Sequence, residues 1–168
     1  MLIVGVSGGL GHDSAACLVR DGQLVAAAEE ERFVRRKSAR KLPPVHSLLY
    51  CLSAADVDLA DVDYLAFSWD PARDPETFLA GDLAKDLLRH PAIRDRHSAE
   101  PVYVDHHLAH AASSFYSSGM ADAGVLVADG RGETAGTTIF AGQGRSLKPV
   151  TSFGVNHSLG FFYESGSF

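Results

Sequence analysis

One local pattern occurs twice in this chain of 168 residues: an apolar strand, a glycine-rich turn and a hairpin. The first copy begins with the apolar run 2–7 and ends in a hairpin turned by Asp21-Gly22, a dipeptide typical of tight β-turns. The second copy begins with the run 123–128, about 120 positions later, and continues through the turn DGRGETAG. Repeats at this distance favour two similar lobes over a solenoid, whose units are roughly 20–50 residues long.

The chain between and after the two copies alternates helix and strand patterns. Apolar residues at helical spacing predict helices, and short apolar runs bounded by polar residues or glycine predict strands. The predicted elements are a helix over 45–53, a strand over 62–68, a helix around 78–88, a strand over 102–104, a helix capped by Asp105, and a helix that begins in HSLGFFYESGSF. This order predicts an α/β fold with a mixed sheet. A first lobe is expected over residues 1–120, and the beginning of a second, incomplete lobe over 121–168.

Composition excludes several classes of protein. Hydrophobic residues make up 46% of the chain and charged residues 21%, which are values of a folded domain and not of a disordered segment. The net charge of −6 argues against binding to nucleic acid or to an anionic membrane surface. No apolar run approaches the roughly 20 residues that span a bilayer. Cys17 and Cys51 both lie among apolar residues, which favours a reduced, cytoplasmic protein.

Both glycine-rich turns expose backbone N–H groups of the kind that bind phosphate. Neither turn has the P-loop sequence or the glycine spacing of dinucleotide-binding folds, and each taken singly is typical of a plain turn. As a duplicated pair, the turns predict that a nucleotide binds between two lobes. The sequence around Ser7 also fits the G-x-S-x-G nucleophile elbow. That motif belongs after several earlier strands and before a helix, so a serine hydrolase is rejected.

Three of the eight histidines fall within the sequence DHHLAH. On a helix, His106 and His110 lie one turn apart on the same face, where two imidazoles can bind one metal ion. Asp129 stands where the second glycine turn begins and supplies a carboxylate to the same site. The three residues predict a two-histidine, one-carboxylate centre suited to Fe(II) or another divalent metal. The alternative is a pair of solvated histidines without a metal, and His107, which points elsewhere on the helix, is expected to be structural.

Two features in the first 41 residues each have a functional and a structural interpretation. His12, in the first glycine turn, is a candidate general base beside a bound phosphate or acyl group, and hydrogen bonding within the turn is its alternative. Residues 32–41 hold six of the 15 basic residues of the chain. This segment is interpreted as a solvated loop, or else as a contact for phosphates or a neighbouring domain.

These motifs together resemble those of one family. The sequences GHDSAACLV, LVAAAEEERF, VDHHLAHAASSFY, VADGRGE and HSLGFFYE, in this order, resemble the N-terminal region of the NodU/CmcH O-carbamoyltransferases of nodulation-factor and antibiotic biosynthesis. The resemblance covers nearly the whole chain and is weakest over residues 70–100. It implies the actin/hexokinase/Hsp70-like fold (the ASKHA, or ribonuclease H-like, fold), which agrees with the duplicated pattern.

The resemblance also implies a reaction and its partners. Carbamoyl phosphate and ATP form carbamoyladenylate in a YrdC-like domain, and the actin-like domain transfers the carbamoyl group to a hydroxyl of a sugar or other natural product. By this resemblance His106, His110 and Asp129 bind the metal, expected to be iron, and His12 deprotonates the acceptor. The turn residues expected to lie against the adenylate are Gly8, Gly9, Gly11, Gly130, Arg131, Gly132 and Glu133.

Members of this family run to several hundred residues, so the resemblance implies that these 168 residues form a truncated, N-terminal part. A YrdC-like region then acts in cis or as a partner in trans, and we expect that the chain alone does not form carbamoyladenylate. Two alternatives remain: a noncatalytic nucleotide-binding module that depends on a partner, and a phosphotransferase similar to sugar kinases. The histidine pair and His12 favour carbamoyl over phosphoryl transfer.

Overall fold

Eight strands and five α-helices follow one another in the computed structural model, which describes residues 1–8, 13–73, 79–95 and 99–166. They are β1 (Leu2–Ser7), β2 (Ala15–Arg20), β3 (Gln23–Glu29), α1 (Glu31–Val34), α2 (Val45–Ala55), β4 (Tyr64–Phe67), α3 (Leu79–Arg89), β5 (Glu100–Tyr103), α4 (His106–Ser117), β6 (Asp122–Ala128), β7 (Ala135–Gln143), β8 (Ser146–Gly154) and α5 (Leu159–Ser165). The chain divides into two compact units, Met1–Val104 and Asp105–Phe168.

The first unit is built on a five-stranded mixed sheet of order β3-β2-β1-β4-β5. β1 runs antiparallel to β2 and parallel to β4, and β4 runs parallel to β5. In the middle of β1, Val4 lies opposite Leu18 and Leu65, and all three side chains are fully buried. Leu48 and Cys51 of α2 belong to the same hydrophobic core. The alternation of apolar side chains along β1 therefore buries one face of the sheet under α2.

The β2–β3 hairpin has the backbone that its Asp-Gly sequence predicts. Asp21 and Gly22 both have positive φ angles, of 50° and 83°. A two-residue type I′ turn requires this combination, and glycine adopts it without strain. The turn places Arg20 opposite Gln23 and Val19 opposite Leu24, and the register then shifts by one residue, so that Leu18 lies opposite Ala26.

The second unit is built on an antiparallel three-stranded sheet of order β6-β7-β8. Ala111 and Phe115 of α4 share a hydrophobic core with Val127 of β6 and Phe140 of β7. Gly142 leaves room for the Phe115 ring, because a Cβ at this position would lie 2.5 Å from a ring carbon. This close approach fixes α4 along the sheet, and with it the histidines of its first turns.

The elements confirm the predicted α/β fold with a mixed sheet. The two strand–turn–hairpin copies are β1–β3 and β6–β8, and the last predicted helix is α5. The basic segment 32–41 contains most of α1 and a 3₁₀ turn at Lys37–Ala39, so it is not a continuous loop, and most of its residues are exposed. Its contact with phosphates or with a neighbouring domain stays a prediction. The lobe boundary at residue 120 stays a prediction.

None of the helices in the described ranges combines the length and the apolar character needed to cross a membrane.

Replacing Leu18 by alanine tests the core of the first unit. Leu18 is fully buried, so we expect the cavity to lower the free energy of unfolding by about 2–5 kcal/mol. Leu24→Ala on β3 is the matched control, because that side chain is 65% exposed and its loss should change stability by less than about 0.5 kcal/mol. Urea unfolding of both variants measures the difference. Equal losses would contradict the register of this sheet.

The reactivity of the two cysteines tests their surroundings. Burial raises the pKa of Cys51 to about 11, and burial also raises the pKa of Cys17. At about pH 8, Cys51 should therefore hold roughly 100-fold less thiolate than a thiol at its ordinary pKa of 9.0. We expect a thiol-specific disulfide reagent to react far more slowly with the native protein than with the protein in guanidinium chloride. Equal rates in the two states would show that the thiols are accessible in the native fold.

Candidate metal centre

α4 presents two histidines on one face, one helical turn apart. The Oδ1 atom of Asp105 accepts a hydrogen bond from the Leu108 N–H at 2.8 Å, so the predicted helix cap is confirmed. His106 and His110 follow at positions i and i+4, and their rings meet edge to face with centroids 4.5 Å apart. The helix thus brings two imidazoles together at its N-terminal end.

Asp129 directly follows β6, at the point where the chain leaves the sheet. Its N–H donates to Gly136 O at 3.1 Å, and its own carbonyl oxygen accepts from the Gly160 N–H at 3.2 Å. The Ser158 hydroxyl donates to the same carbonyl oxygen at 2.6 Å. The Gly130 N–H donates to Asp129 Oδ1 at 2.7 Å. These bonds hold both the main chain and one carboxylate oxygen of Asp129.

The three predicted ligands meet in one cluster. Each offers one ligand atom, and these atoms all lie within 4.8 Å of one another. His106 Nε2 lies 2.8 Å from Asp129 Oδ2 and 3.1 Å from His110 Nε2, and His110 Nε2 lies 3.5 Å from Asp129 Oδ2. Two atoms bound to one ion at about 2.0–2.1 Å, roughly 90–109° apart, are separated by about 2.9–3.4 Å. The donor atoms and their spacing therefore fit a single divalent ion.

Electrostatics keep Asp129 ionised. Burial on its own would raise the pKa of this carboxyl group, but hydrogen bonds with His106 and His110 and from the Gly130 N–H outweigh it. Together they hold the pKa of Asp129 well below its usual range. An anionic oxygen beside two imidazole nitrogens is a donor set that Fe(II) and other transition metals accept.

Two glycines of the second turn lie close against aromatic rings. A Cβ at Gly132 would lie 2.7 Å from a ring carbon of His107, and one at Gly130 would lie 3.1 Å from the ring of Phe161. The turn therefore packs tightly against side chains of α4 and α5. Whether these glycines also contact an adenylate stays a prediction.

Glu133 and Arg131 lie in the same turn. Glu133 is buried, and each of its carboxylate oxygens lies 3.0 Å from the His106 N–H nitrogen. Arg131 is half-buried. The structure thus places the Glu133 carboxylate on the first turn of α4, and contact of either residue with a nucleotide stays a prediction.

His107 is turned away from the metal ligands, as expected from the sequence. Its ring is buried, and Nδ1 lies 2.8 Å from the Thr138 hydroxyl oxygen. Burial lowers the pKa of His107, so the ring is neutral at pH 7. Within the described residues, its Nε2 has no hydrogen-bond partner. His107 therefore packs α4 onto β7.

Of the first glycine turn, the structure describes only Gly8 among the predicted residues; Gly9, Gly11 and His12 lie outside the described ranges. Gly8 has a φ angle of +127°, and a Cβ there would lie 2.5 Å from the Ser14 hydroxyl oxygen. Only glycine fits this position, both for its backbone and for its neighbour.

Ser158 and Gly160 support Asp129, although the sequence patterns did not predict a role for either residue. Ser158 caps α5, since its hydroxyl accepts from the Phe161 N–H at 2.9 Å, and the same hydroxyl donates to Asp129 O. Gly160 lies so close to Asp129 and Gly130 that a Cβ there would overlap their peptide. The serine before the apolar run was a recognisable cap signal, but nothing local links either residue to Asp129.

The sequence matches a known family over nearly its whole length. The family model described as carbamoyltransferase N-terminus matches residues 2–97 and 83–167. The chain belongs to this family.

Two curated relatives agree with the family assignment. The nodulation protein NolNO of Sinorhizobium fredii is 35% identical over 191 aligned positions, which cover 97% of this chain and 28% of NolNO. The uncharacterized protein sll1178 of Synechocystis is 35% identical over 182 positions, which cover 92% of this chain and 29% of sll1178. The resemblance to the NodU type of carbamoyltransferase is confirmed. The chain spans less than a third of the length of either relative.

A solved structure shows the fold. YeaZ from Pseudomonas aeruginosa superposes with a TM-score of 0.53 at 16% identity, over 90% of this chain and 64% of YeaZ. At this identity the likeness concerns the fold alone. The actin-like α/β fold predicted for this carbamoyltransferase N-terminal region is confirmed.

Replacing Gly160 by alanine tests how closely α5 approaches the turn that begins at Asp129. Alanine is the better helix former, yet its Cβ would overlap the Asp129–Gly130 peptide. We therefore expect a loss of about 1–3 kcal/mol in the free energy of unfolding. Gly154→Ala is the control, because a Cβ there meets nothing within 4 Å. If both variants unfold at the same denaturant concentration, α5 does not pack on this turn.

Proposed function

We propose that this chain is the metal-binding N-terminal part of a carbamoyltransferase, which transfers the carbamoyl group of carbamoyladenylate to a hydroxyl of a sugar or other natural product. The observation that carries the proposal is the cluster of His106, His110 and Asp129, with their ligand atoms within 4.8 Å of one another. The family to which the chain belongs supports carbamoyl transfer in general, and the cluster supplies a site at which the leaving phosphate can be held.

In this proposal the two histidine Nε2 atoms and the Asp129 Oδ2 atom hold Fe(II) or another divalent ion. A divalent ion held by these atoms would supply Lewis-acid chemistry, offsetting the negative charge on the phosphate of the departing AMP. Asp129 contributes one negative charge and the neutral imidazoles none, so a divalent ion keeps a net positive charge. His110 is half exposed, which leaves that side of the centre open to a ligand.

The transfer step exchanges one bond for another. A bond forms between the acceptor oxygen and the carbamoyl carbon, while the bond from that carbon to the phosphate oxygen of AMP breaks. The hydroxyl proton goes to a base, for which His12 is the candidate. Carbamoyl phosphate and ATP supply the adenylate through a YrdC-like region, in cis or in a partner chain.

Metal titration tests the proposed centre. We expect the purified chain to bind Co(II), a spectroscopic probe for the site, and both His106→Ala and Asp129→Ala to weaken that binding by at least about 100-fold because each removes a ligand. His157→Ala is the matched control, because it removes an exposed histidine of the same unit and should leave affinity unchanged. Binding of Co(II) that survives both ligand substitutions would refute the assignment.

The Co(II)-loaded chain also distinguishes the class of substrate. We expect a non-hydrolysable carbamoyladenylate analogue to change the visible absorption of bound Co(II), because its phosphate approaches the ion. A spectrum that responds to ATP but not to this analogue would favour the phosphotransferase. A spectrum that responds to neither would favour a noncatalytic module.

A further inference from the structure

Glu133 is a turn residue whose carboxylate is buried against the first turn of α4. Its side chain is 5% exposed, and its two oxygens share the His106 N–H at 3.0 Å each. A carboxylate that leaves water loses hydration, and bonds to backbone N–H groups at a helix N-terminus offset that loss. The burial of Glu133 therefore depends on α4, and the start of α4 depends on Glu133.

The first turn of α4 has more than one backbone donor to satisfy. Asp105 accepts from the Leu108 N–H, and Glu133 accepts from the His106 N–H; both donors belong to the first turn, whose N–H groups the i→i−4 bonds of a helix do not reach. The two carboxylates act on different donors of one turn. The Glu133 bond is the one made at the metal ligand itself, and it fixes the main chain from which the His106 ring projects.

Glu133 also links the turn that begins with Asp129 to the helix that carries His106 and His110. It stands four residues after Asp129 on the same turn, and that turn is closed by a hydrogen bond from the Gly132 N–H to Ala135 O at 2.7 Å. One short segment therefore supplies the carboxylate ligand and also the clamp on the helix that supplies the imidazoles.

We propose that Glu133 is a positioning residue for the metal centre: it holds His106 at the distance from Asp129 that one ion requires. This inference rests on the proposed function, because it assumes that the cluster binds a metal. Glu133 itself does not touch the ion. Its effect is on the geometry and affinity of the centre, since partners that orient ligands typically contribute 10–100-fold to metal affinity.

The first unit provides a matched control for this role. Glu30 is also a buried carboxylate at a helix N-terminus, where it accepts from the His46 N–H at 3.2 Å and from the Ser47 N–H at 2.8 Å. It therefore clamps the start of α2 as Glu133 clamps the start of α4, but it belongs to the other unit and holds none of the metal ligands. A loss of Co(II) affinity that comes only from weaker anchoring of a helix should appear in variants of both glutamates.

The test measures Co(II) affinity, the visible spectrum of bound Co(II) and thermal unfolding on the whole chain. We expect Glu133→Ala to weaken Co(II) binding by about 10–100-fold and to change the spectrum. Glu133→Gln keeps an acceptor of the same length and should stay within about threefold of the parent chain. Glu133→Asp keeps the charge but withdraws the acceptor, so it should resemble Glu133→Ala. Glu30→Ala should lower the unfolding temperature and leave affinity unchanged.

The outcomes separate the two proposals. If Glu133→Ala and Glu133→Asp bind Co(II) as the parent does, Glu133 has only a structural role and this inference is wrong. An equal loss of affinity in Glu30→Ala would also overturn it, because the effect would then be one of stability. If Glu133→Ala does not fold, the Co(II) affinities of Glu133→Gln and Glu133→Asp decide. Affinity kept in Glu133→Gln and lost in Glu133→Asp supports the inference, and equal affinity in both overturns it. A parent chain that binds no Co(II) would instead refute the proposed function, on which the inference depends.

Discussion

The carbonyl oxygen of Asp129 joins the end of β6 to the start of α5. It accepts from the Ser158 hydroxyl and the Gly160 N–H, so α5 begins against the same peptide from which the carboxylate ligand projects. Two donors on one oxygen fix the direction in which the chain leaves β6. That direction aims the carboxylate at His106, since one of its oxygens is already held by the Gly130 N–H. A shift of α5 would therefore move the carboxylate of Asp129, a candidate metal ligand, although the candidate cluster contains no residue of α5.

Buried glutamates at helix N-termini recur in the two units, although they stand at different places in the chain. Glu30 follows the last strand of the first hairpin, whereas Glu133 lies in the turn between β6 and β7. In each case the buried carboxylate accepts from one or two backbone N–H groups at a helix N-terminus, which also carry the positive end of the helix dipole. In both units these hydrogen bonds tie the start of a helix to a strand end or turn, in addition to the apolar packing of the same helix on its sheet.

The sequence was sufficient for features that depend on local pattern. Short apolar runs bounded by glycine or polar residues predicted the strands, Asp21-Gly22 predicted the hairpin, and helical spacing placed His106 beside His110. Asp129 could be added because it follows a strand and opens a glycine turn. The clamp by Glu133 and the support from Ser158 could not be predicted, because each joins residues 27 or 29 positions apart. Such contacts arise only when α4 and α5 pack on the sheet, and no spacing rule encodes that approach.

The charge of the chain sets a condition that the metal centre can satisfy. A net charge of −6 repels a phosphate ester at long range, so the proposed adenylate donor would need a local positive potential to bind. Two neutral imidazoles and one carboxylate would leave a bound divalent ion with an excess of one positive charge. The exposed fraction of the side chains increases through the cluster, from 22% for His106 to 31% for Asp129 and 53% for His110. The candidate centre is therefore open on the His110 side. His106 is thus the most buried of the three side chains, and His110, which faces solvent, lies where the proposed ion and an anion could enter.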